Sequence, residues 1–222
     1  MTRVAIAPSL LSADFGRLAE AVRGCERGQA DWIHFDVMDG RFVPNLTIGP
    51  IVLEALKRET KIPFDVHLMI EEPFRTLDQY LQAGAGRVAV HVEAEPHLNR
   101  FAEFVRSRGV SPGVAVSPGT SLALVDEAIR FVDFVLLMTV NPGWGGQSLL
   151  SGSVERVREL AERIERAGSA ATIAVDGGLL PDNVASLVSA GARHIVAGSS
   201  VFRRPNVAAA VAALRAAAGD SR

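Results

Sequence analysis

The sequence contains little cysteine and has almost no net charge. Cys25 is the only cysteine among 222 residues, which excludes an internal disulfide and is typical of a reducing compartment. Lys and Arg together number 23 and Asp and Glu number 25, so the formal net charge at pH 7 is −2. This balance provides neither a basic surface for nucleic acid nor an acidic tail. We therefore expect a cytoplasmic protein that has no nucleic-acid partner.

Long apolar runs and linkers are also missing. The N-terminal segment has an apolar patch, but Asp14 and Arg17 interrupt it too early for a signal peptide or a membrane span. No low-complexity stretch divides the chain. Because 222 residues that are 48% hydrophobic suffice for one large core, we expect a single domain over residues 1–222 that has no membrane partner.

Short apolar runs with strand character alternate with segments of helical period. The eight runs are residues 4–10, 32–38, 64–69, 88–92, 113–117, 134–140, 172–175 and 195–197. Between them lie eight helical segments, one of which has an apolar stripe along residues 154–168. Strict alternation predicts an α/β protein with a parallel sheet, and eight units predict closure into a (β/α)8 TIM barrel. No GxGxxG follows the first strand, which argues against a dinucleotide-binding fold.

Polar side chains collect at the carboxyl ends of these strands, where the loops of a TIM barrel form the active face. His34, Asp36 and Met38 share one face of the second strand, because alternate residues of a strand point the same way. His67 and Met69 do the same on the third strand. Other strand ends carry Ser9, His91, Asn141, Asp176 and Ser199.

Two histidines and two carboxylates around one barrel mouth form a candidate metal site. They are His34, His67, Asp36 and Asp176. Their nitrogen and oxygen donors suit one divalent transition metal such as Zn, Fe, Mn or Co, and the sequence does not choose among these ions. A lone strand histidine is more often a hydrogen-bonded core residue, and we interpret His91 in that way. Asp65, one layer deeper than His67, is interpreted as a core hydrogen-bonding residue.

Three glycine-rich segments follow the last three strands. They are NPGWGGQS, DGGLLPDN and AGSSVF. Glycine lets backbone N–H groups approach a ligand closely, and the late loops of such barrels often hold a phosphate. No lysine cluster lies nearby, so we expect a phosphate to be bound mainly by main-chain amides. Three methionines near strand ends, Met38, Met69 and Met138, either fill the core or form an apolar wall around a substrate.

Asp36 and Asp176 reach the predicted mouth from different strands. One carboxylate can remove a proton from a carbon beside a ketone while the other delivers a proton to the opposite face, as an epimerase requires. A carboxylate is a weak base for a carbon acid, so a metal on the substrate oxygens would have to stabilise the enediolate. The residues therefore permit a metal-assisted 1,1-proton transfer on a phosphorylated ketose and do not by themselves name one.

Seven segments form long, ordered motifs: APSLLSADF, HFDVMDGRFVPNLTIGP, DVHLM, HVEA, MTVNPGWGGQ, VDGG and VAGSSVF. With these motifs the chain resembles the ribulose-phosphate 3-epimerase family over nearly its whole length. The resemblance implies a TIM barrel of the pentose phosphate pathway that interconverts D-ribulose 5-phosphate and D-xylulose 5-phosphate at C3 with a divalent metal. It implies four metal ligands, two of which, Asp36 and Asp176, form the acid–base pair. The four ligands are His34, Asp36, His67 and Asp176.

The resemblance also implies the substrate contacts. Ser9 and His67 would contact the sugar, and the family's methionines around the reacting carbons match Met38, Met69 and Met138. The remainder of the substrate and its phosphate would be held by Gly143, Trp144, Gly145, Gly146, Asp176, Gly177, Gly178, Gly198 and Ser199. Relatives form dimers or hexamers, which implies a homo-oligomer.

Three positions depart from the residues usual in the family. Trp144 replaces a phenylalanine in the loop expected to close over the substrate. Ala174 replaces the Glu or Gln commonly found two residues before Asp176, and FRRP replaces an FGAP-like ending after the last strand. None of these changes removes a catalytic residue, so they bear on substrate preference and rate.

Three other functions are weighed against this interpretation. A D-allulose-6-phosphate 3-epimerase tends to carry a DPGFAGQ-like loop and VDGS, where this chain has NPGWGGQ and VDGG. A hexulose-phosphate synthase needs a lysine two residues after Asp36, where Met38 stands. A non-catalytic sugar-phosphate-binding barrel is disfavoured because all four proposed ligands are present.

Overall fold

The structure is a computed structural model that describes residues 3–219. Eight parallel strands are present: β1 Ala5–Pro8, β2 Ile33–Met38, β3 Phe64–Met69, β4 Ala85–His91, β5 Ser111–Val116, β6 Phe134–Met138, β7 Thr172–Asp176 and β8 Ala192–Ala197. The α-helices are α1 Leu18–Arg27, α2 Pro50–Lys57, α3 Leu77–Gln82, α4 Leu98–Ser107, α5 Ser153–Arg166, α6 Val184–Ala190, α7 Ser199–Phe202 and α8 Val207–Ala217.

The strands close into a barrel. From β2 to β8 each strand pairs in parallel with the next, and β1 pairs with β8, with Ala5 opposite His194. A parallel bridge between Ser9 and His34 joins the remaining edges, those of β1 and β2. The (β/α)8 TIM barrel predicted from the alternation is confirmed.

One of the predicted helical segments takes a different form. Between β5 and β6 the structure has two 3-10 turns, Leu122–Val125 and Ala128–Arg130, in place of an α-helix. Pro118 and Gly119 lie at the start of this connection and shorten the part that can become helical. Val125 and Ile129 are nonetheless buried, so the two turns cover the sheet as a helix would.

Strands β4 and β8 begin earlier than the apolar runs predict. They start at Ala85 and Ala192 rather than at residues 88 and 195. The charged residue Arg87 and the polar residue His194 interrupt the apolar pattern there. Inside the barrel these two side chains contact each other, with Arg87 Nη1 2.9 Å from His194 Nδ1. Paired polar residues at the bottom of the barrel therefore hid the starts of both strands.

Helix α5 contains the apolar stripe predicted for residues 154–168. Val157, Leu160 and Ile164 are buried on one face, while Arg and Glu side chains occupy the others. Gly168, with φ of 63°, follows the end of the helix. Helix α5 has 14 residues, and no helix within residues 3–219 combines the length and apolar character needed to cross a bilayer.

Alternate strand residues fill two separate cores. Outward-facing residues such as Phe35 and Val66 pack between the sheet and the helices. The barrel interior is filled by a second cluster in which small side chains prevail: Ala7, Ala89, Ala115, Phe134, Leu136, Met138, Ala174 and Val196. Polar residues lie above and below this layer.

Cys25 lies on α1 with no exposed surface. Burial raises the pKa of its thiol to about 12, so the reactive thiolate is scarce near neutral pH. We expect DTNB at pH 8 to leave the native protein unmodified and to react with one thiol per chain after unfolding in guanidinium chloride. Labelling of the native protein as fast as that of the unfolded chain would contradict the buried position.

Candidate active site

Four side chains from three strands meet at the carboxyl-terminal mouth of the barrel. His34 and Asp36 come from β2, His67 from β3 and Asp176 from the end of β7. Potential ligand atoms of all four residues lie within 4.8 Å of one another. Asp36 is directly opposite His67 in the β2–β3 pairing, which places the carboxylate and the imidazole side by side. The structure thus brings together the four residues that the sequence predicts as metal ligands.

The spacing of these atoms suits one shared cation. Asp36 Oδ1 lies 3.2 Å from His34 Nε2 and 3.1 Å from His67 Nδ1. Asp176 Oδ2 lies 3.7 and 3.9 Å from the same two nitrogens. Ligands at about 2.1 Å from a common ion are separated by roughly 3 to 3.5 Å, so small shifts would complete such a shell.

His34 Nε2 supplies an independent argument for a cation. This nitrogen is buried and makes no well-aligned hydrogen bond among the described residues, although Asp36 Oδ1 lies 3.2 Å away. A buried polar atom without a partner costs stability, and native proteins leave few of them. A metal ion between His34, Asp36 and Asp176 would satisfy it. Two imidazole nitrogens with two carboxylates also match the donors that divalent transition metals prefer.

The two carboxyl groups differ in their proton affinity. Burial, together with the negative charges of Asp36 and Asp65, raises the pKa of Asp176 to about 7. Burial acts in the same direction on Asp36, but the His34 and His67 rings hold its pKa well below the usual range. Neighbouring carboxyl groups whose pKa values are pushed apart are typical of an acid–base pair. A bound cation would lower both pKa values.

Asp65 orients His34 from below. Its Oδ2 lies 2.7 Å from His34 Nδ1. Burial opposes ionisation of Asp65, but Arg87 and His34 hold its pKa well below the usual range, so it accepts the Nδ1 proton. When the ring is neutral, the other nitrogen, Nε2, then presents its lone pair toward the mouth. Asp65 therefore does more than the core hydrogen bonding expected of it.

Arg87 was not identified from the sequence. It is buried inside the barrel, where its Nη2 donates to Asp65 Oδ2 at 2.8 Å and its Nε lies 2.8 Å from Oδ1. Its guanidinium carbon is 4.6 Å from the ring centroids of both Trp32 and Phe134. An arginine within an apolar strand was the available signal, because a buried charge requires a buried partner.

Ser9 contacts a catalytic candidate directly. Its hydroxyl donates to Asp36 Oδ2 at 2.6 Å, while Asp36 Oδ1 faces the two histidines. The serine thus fixes the carboxylate orientation from the end of β1. Its predicted contact with the sugar stays a prediction.

A cleft whose lining includes Asp36 and Asp176 lies at the mouth of the barrel. Predicted substrate residues that line it are Ser9, Met38, Met69, Met138, Gly143, Trp144, Gly145, Gly146, Asp176, Gly177, Gly178, Gly198 and Ser199. His67 has no exposed surface and lies beneath the floor, so its predicted sugar contact would need a small opening there. Further lining residues, not assigned to the site from the sequence, are Leu11, Ser12, Val140, Asn141, Pro142, Gln147 and Leu179.

The three methionines belong to the packed interior and also line the cleft, while their predicted contact with a substrate stays a prediction. Met38, Met69 and Met138 are almost fully buried, yet all three line the cleft. Met38 and Met69 are opposite each other in the β2–β3 pairing and pack with Val43. They therefore form an apolar wall that is continuous with the packed interior.

The glycine loops bring backbone to the cleft. At Gly178, where φ is +70°, a Cβ would lie 2.2 Å from the backbone nitrogen of Leu149. At Gly198 a Cβ would lie 2.5 Å from Ser12 Oγ. No side chain fits at either position without movement, so the peptide groups themselves form this end of the cleft.

The three departures from family residues have definite places. Trp144 is 52% exposed at the cleft rim, and its carbonyl accepts a hydrogen bond from Gln147 Nε2 at 2.9 Å. Ala174 belongs to the apolar layer below the site, where it has no exposed surface. Arg203 lies against the Trp144 loop, with its Nη2 2.8 Å from the point that a Cβ on Gly146 would occupy.

A sequence model described as the ribulose-phosphate 3 epimerase family matches residues 5–202. The chain belongs to this family. The ribulose-phosphate 3-epimerase of Synechocystis sp. is 45% identical over 214 residues, which cover 96% of this chain and 93% of that protein. The ribulose-phosphate 3-epimerase of Bacillus subtilis is 42% identical over 213 residues, covering 96% and 98%. The resemblance seen in the motifs is confirmed, and the chain is an epimerase of this type.

Structural similarity extends to other barrels. The 3-keto-L-gulonate-6-phosphate decarboxylase from Vibrio cholerae matches with a TM-score of 0.72 at 12% identity, over 98% of this chain and 97% of that one. At so low an identity the likeness concerns the fold alone. It agrees with the TIM barrel described above, whereas the epimerase assignment rests on the family match.

Proposed function

We propose that this member of the ribulose-phosphate 3-epimerase family interconverts D-ribulose 5-phosphate and D-xylulose 5-phosphate by moving a proton at C3. The observation that carries the proposal is the placement of Asp36 and Asp176 on β2 and β7, within one cluster under one cleft. Inversion at a carbon requires removal of a proton from one face and its return to the other, so two acid–base groups are needed.

In this proposal Asp36 and Asp176 exchange roles with the direction of reaction. The carboxylate that removes the C3 proton in one direction delivers it in the other. Ser9 holds Asp36 through its 2.6 Å hydrogen bond, which limits rotation of the carboxylate. The methionine wall keeps water away from the reacting carbon, which strengthens electrostatic interactions in the cleft.

We propose that one divalent ion, Zn, Fe, Mn or Co, is held by His34, Asp36, His67 and Asp176. When bound, it supplies Lewis-acid stabilisation of the negative charge that develops on the substrate oxygens during proton removal. His34 would contribute Nε2 and His67 would contribute Nδ1, the nitrogens that face both carboxylates. The positive charge also reduces the repulsion between two carboxylates at close range.

We propose that the phosphate lies at the glycine end of the cleft. The residues assigned there are Gly143, Trp144, Gly145, Gly146, Gly177, Gly178, Gly198 and Ser199. The lack of space for side chains at Gly178 and Gly198 supports recognition by peptide N–H groups. We also propose that residues 1–222 form one domain and that the enzyme works in the cytoplasm as a homo-oligomer, a dimer or hexamer, within the pentose phosphate pathway.

A turnover assay tests the reaction and the substrate class together. Purified protein is incubated with D-ribulose 5-phosphate or D-allulose 6-phosphate, before and after removal of metal with a chelator. We expect D-xylulose 5-phosphate to form, turnover to stop after chelation, and one of Zn, Fe, Mn or Co to restore it. Metal-loaded protein that leaves the pentulose unchanged would contradict the proposal, and turnover of the hexulose alone would move the assignment to the longer sugar.

A further inference from the structure

A line of polar groups runs from His67 through His91 to Glu93, which lies in the loop that follows the carboxyl end of β4. His67 Nε2 lies 2.9 Å from His91 Nε2, and the two rings stack with centroids 5.0 Å apart. His91 Nδ1 lies 3.1 Å from Glu93 Oε2. Both histidines have no exposed surface, and the Glu93 side chain is 23% exposed. The line therefore joins a proposed metal ligand to a carboxylate two contacts away.

The two facing nitrogens can share only one proton. For His67 to ligate through Nδ1, that nitrogen must keep its lone pair, and the ring proton must sit on Nε2. His91 Nε2 must then accept this proton, which places the proton of His91 on its own Nδ1. The acceptor for that second proton is the Glu93 carboxylate at 3.1 Å, which is closer to His91 Nδ1 than the Ser117 hydroxyl at 3.4 Å.

Glu93 is held as an ionised carboxylate, which can only accept hydrogen bonds. Its Oε1 accepts the Ser117 backbone N–H at 2.9 Å and the Thr120 hydroxyl at 2.5 Å. Burial by itself would raise the pKa of Glu93, but the hydrogen bonds from His91, Thr120 and Ser117 hold it at about 2. An ionised carboxylate has no proton to donate, so Oε2 can only accept from His91.

We propose that Glu93 is a positioning residue that acts through His91 to fix the His67 tautomer whose Nδ1 lone pair faces Asp36 and Asp176. The inference rests on the proposed metal site and adds to it a residue that contacts neither metal nor substrate. His34 provides a parallel, since Asp65 sets its tautomer directly. The two ligand histidines thus present opposite nitrogens, each selected by a carboxylate.

Glu93→Gln is the informative substitution because it keeps the shape of the side chain and reverses the direction of the hydrogen bonds from residue 93 to His67. The Ser117 N–H is an obligatory donor, so it holds the new amide oxygen at the Oε1 position. The amide NH2 then faces His91 Nδ1 and donates to it. His91 must carry its proton on Nε2 and donate to His67, whose own proton moves to Nδ1 and blocks ligation. We expect zinc affinity to fall about 10- to 100-fold.

Two further variants separate this effect from a general loss of structure. Glu95→Gln is the matched control, because Glu95 is a buried acid of the same loop whose Oε1 accepts the His97 backbone N–H at 2.7 Å. It should leave zinc affinity unchanged. In a His91→Gln background the amide can donate to or accept from His67. Glu93→Gln should then lower zinc affinity little further, because residue 91 no longer passes the hydrogen-bond direction set at residue 93 on to His67.

The measurements are histidine 15N NMR on zinc-loaded protein and zinc affinity by competition with a chromophoric chelator. The metal is needed because without a cation the Asp36 carboxylate, 3.1 Å from His67 Nδ1, competes for the ring proton. The chain has five histidines, which keeps the spectra assignable. We expect Nε2–H on His67 in the zinc-loaded wild type. In Glu93→Gln at the same zinc concentration we expect a fraction of Nδ1–H on His67 that matches the loss of zinc affinity. An unchanged His67 tautomer, or an equal loss in the His91→Gln background, would overturn the inference. Wild-type protein that binds no zinc, cobalt, iron or manganese would instead contradict the proposed metal site.

Discussion

Replacing Asp176 with Asn is expected to lower kcat for epimerisation by about 10³- to 10⁴-fold. The amide cannot exchange a proton with C3, and it also weakens one of the four proposed ligands. Asp36, held by Ser9, still faces the cleft and can act on one face of the carbon. The variant should therefore exchange the C3 proton of only one of the two pentulose phosphates with solvent and form little of the other.

Steady-state kinetics and solvent deuterium uptake by each sugar check this expectation. The matched control is Asp182→Asn, because Asp182 is an exposed acid in the loop that follows β7. It should retain wild-type turnover. If Asp176→Asn turned over within a factor of ten of the wild type, Asp176 could not be one of the two proton-transfer groups.

Replacing Arg87 with Met should lower the free energy of unfolding by about 3–5 kcal/mol. The substitution leaves the Asp65 carboxylate buried in the barrel without its cation, and it removes the guanidinium from between Trp32 and Phe134. A buried charge that loses its partner keeps its full desolvation cost. We expect denaturant unfolding to show the loss, with Arg106→Met as the control, because the Arg106–Asp133 pair is about half exposed and contributes little.

A double variant separates stability from activity at this ion pair. Arg87→Met combined with Asp65→Leu removes both charges, so most of the stability should return. Activity should not return, because His34 Nδ1 has lost the carboxylate that selects its tautomer. Full recovery of turnover in the double variant would show that Asp65 does not act through His34. A loss of stability in Arg87→Met no larger than that in Arg106→Met would contradict the account of the ion pair.

The barrel and the four central residues were predictable because each depends on a short-range rule. Strand parity places His34 and Asp36 on one face, and parallel strands bring their carboxyl ends to one mouth. His67 and Asp176 follow from the same two rules on other strands. The glycine segments were recognisable because peptide approach to a ligand requires glycine itself.

The supporting contacts were not predictable because they depend on register between strands. Asp65 is opposite Arg87 only because the β3–β4 pairing shifts by one residue just before it. The ring of His91 stacks on that of His67, and Glu93 contacts His91. The residues next to His67 in the sequence do not indicate this stacking. Ser12 likewise reaches Gly198 through loop geometry alone. Polar residues inside the barrel also hid the first residues of β4 and β8, since their pairing is invisible in a hydropathy pattern.

Proton NMR of the reaction in D2O tests the central claim most directly. Metal-loaded enzyme and D-ribulose 5-phosphate should give D-xylulose 5-phosphate with deuterium at C3, because the carboxylate that delivers the proton equilibrates with solvent. The same sample treated with a chelator should show neither product nor exchange, and added metal should restore both. Product formed without deuterium at C3, or formed at the full rate after complete metal removal, would contradict proton transfer between Asp36 and Asp176 at a metal site.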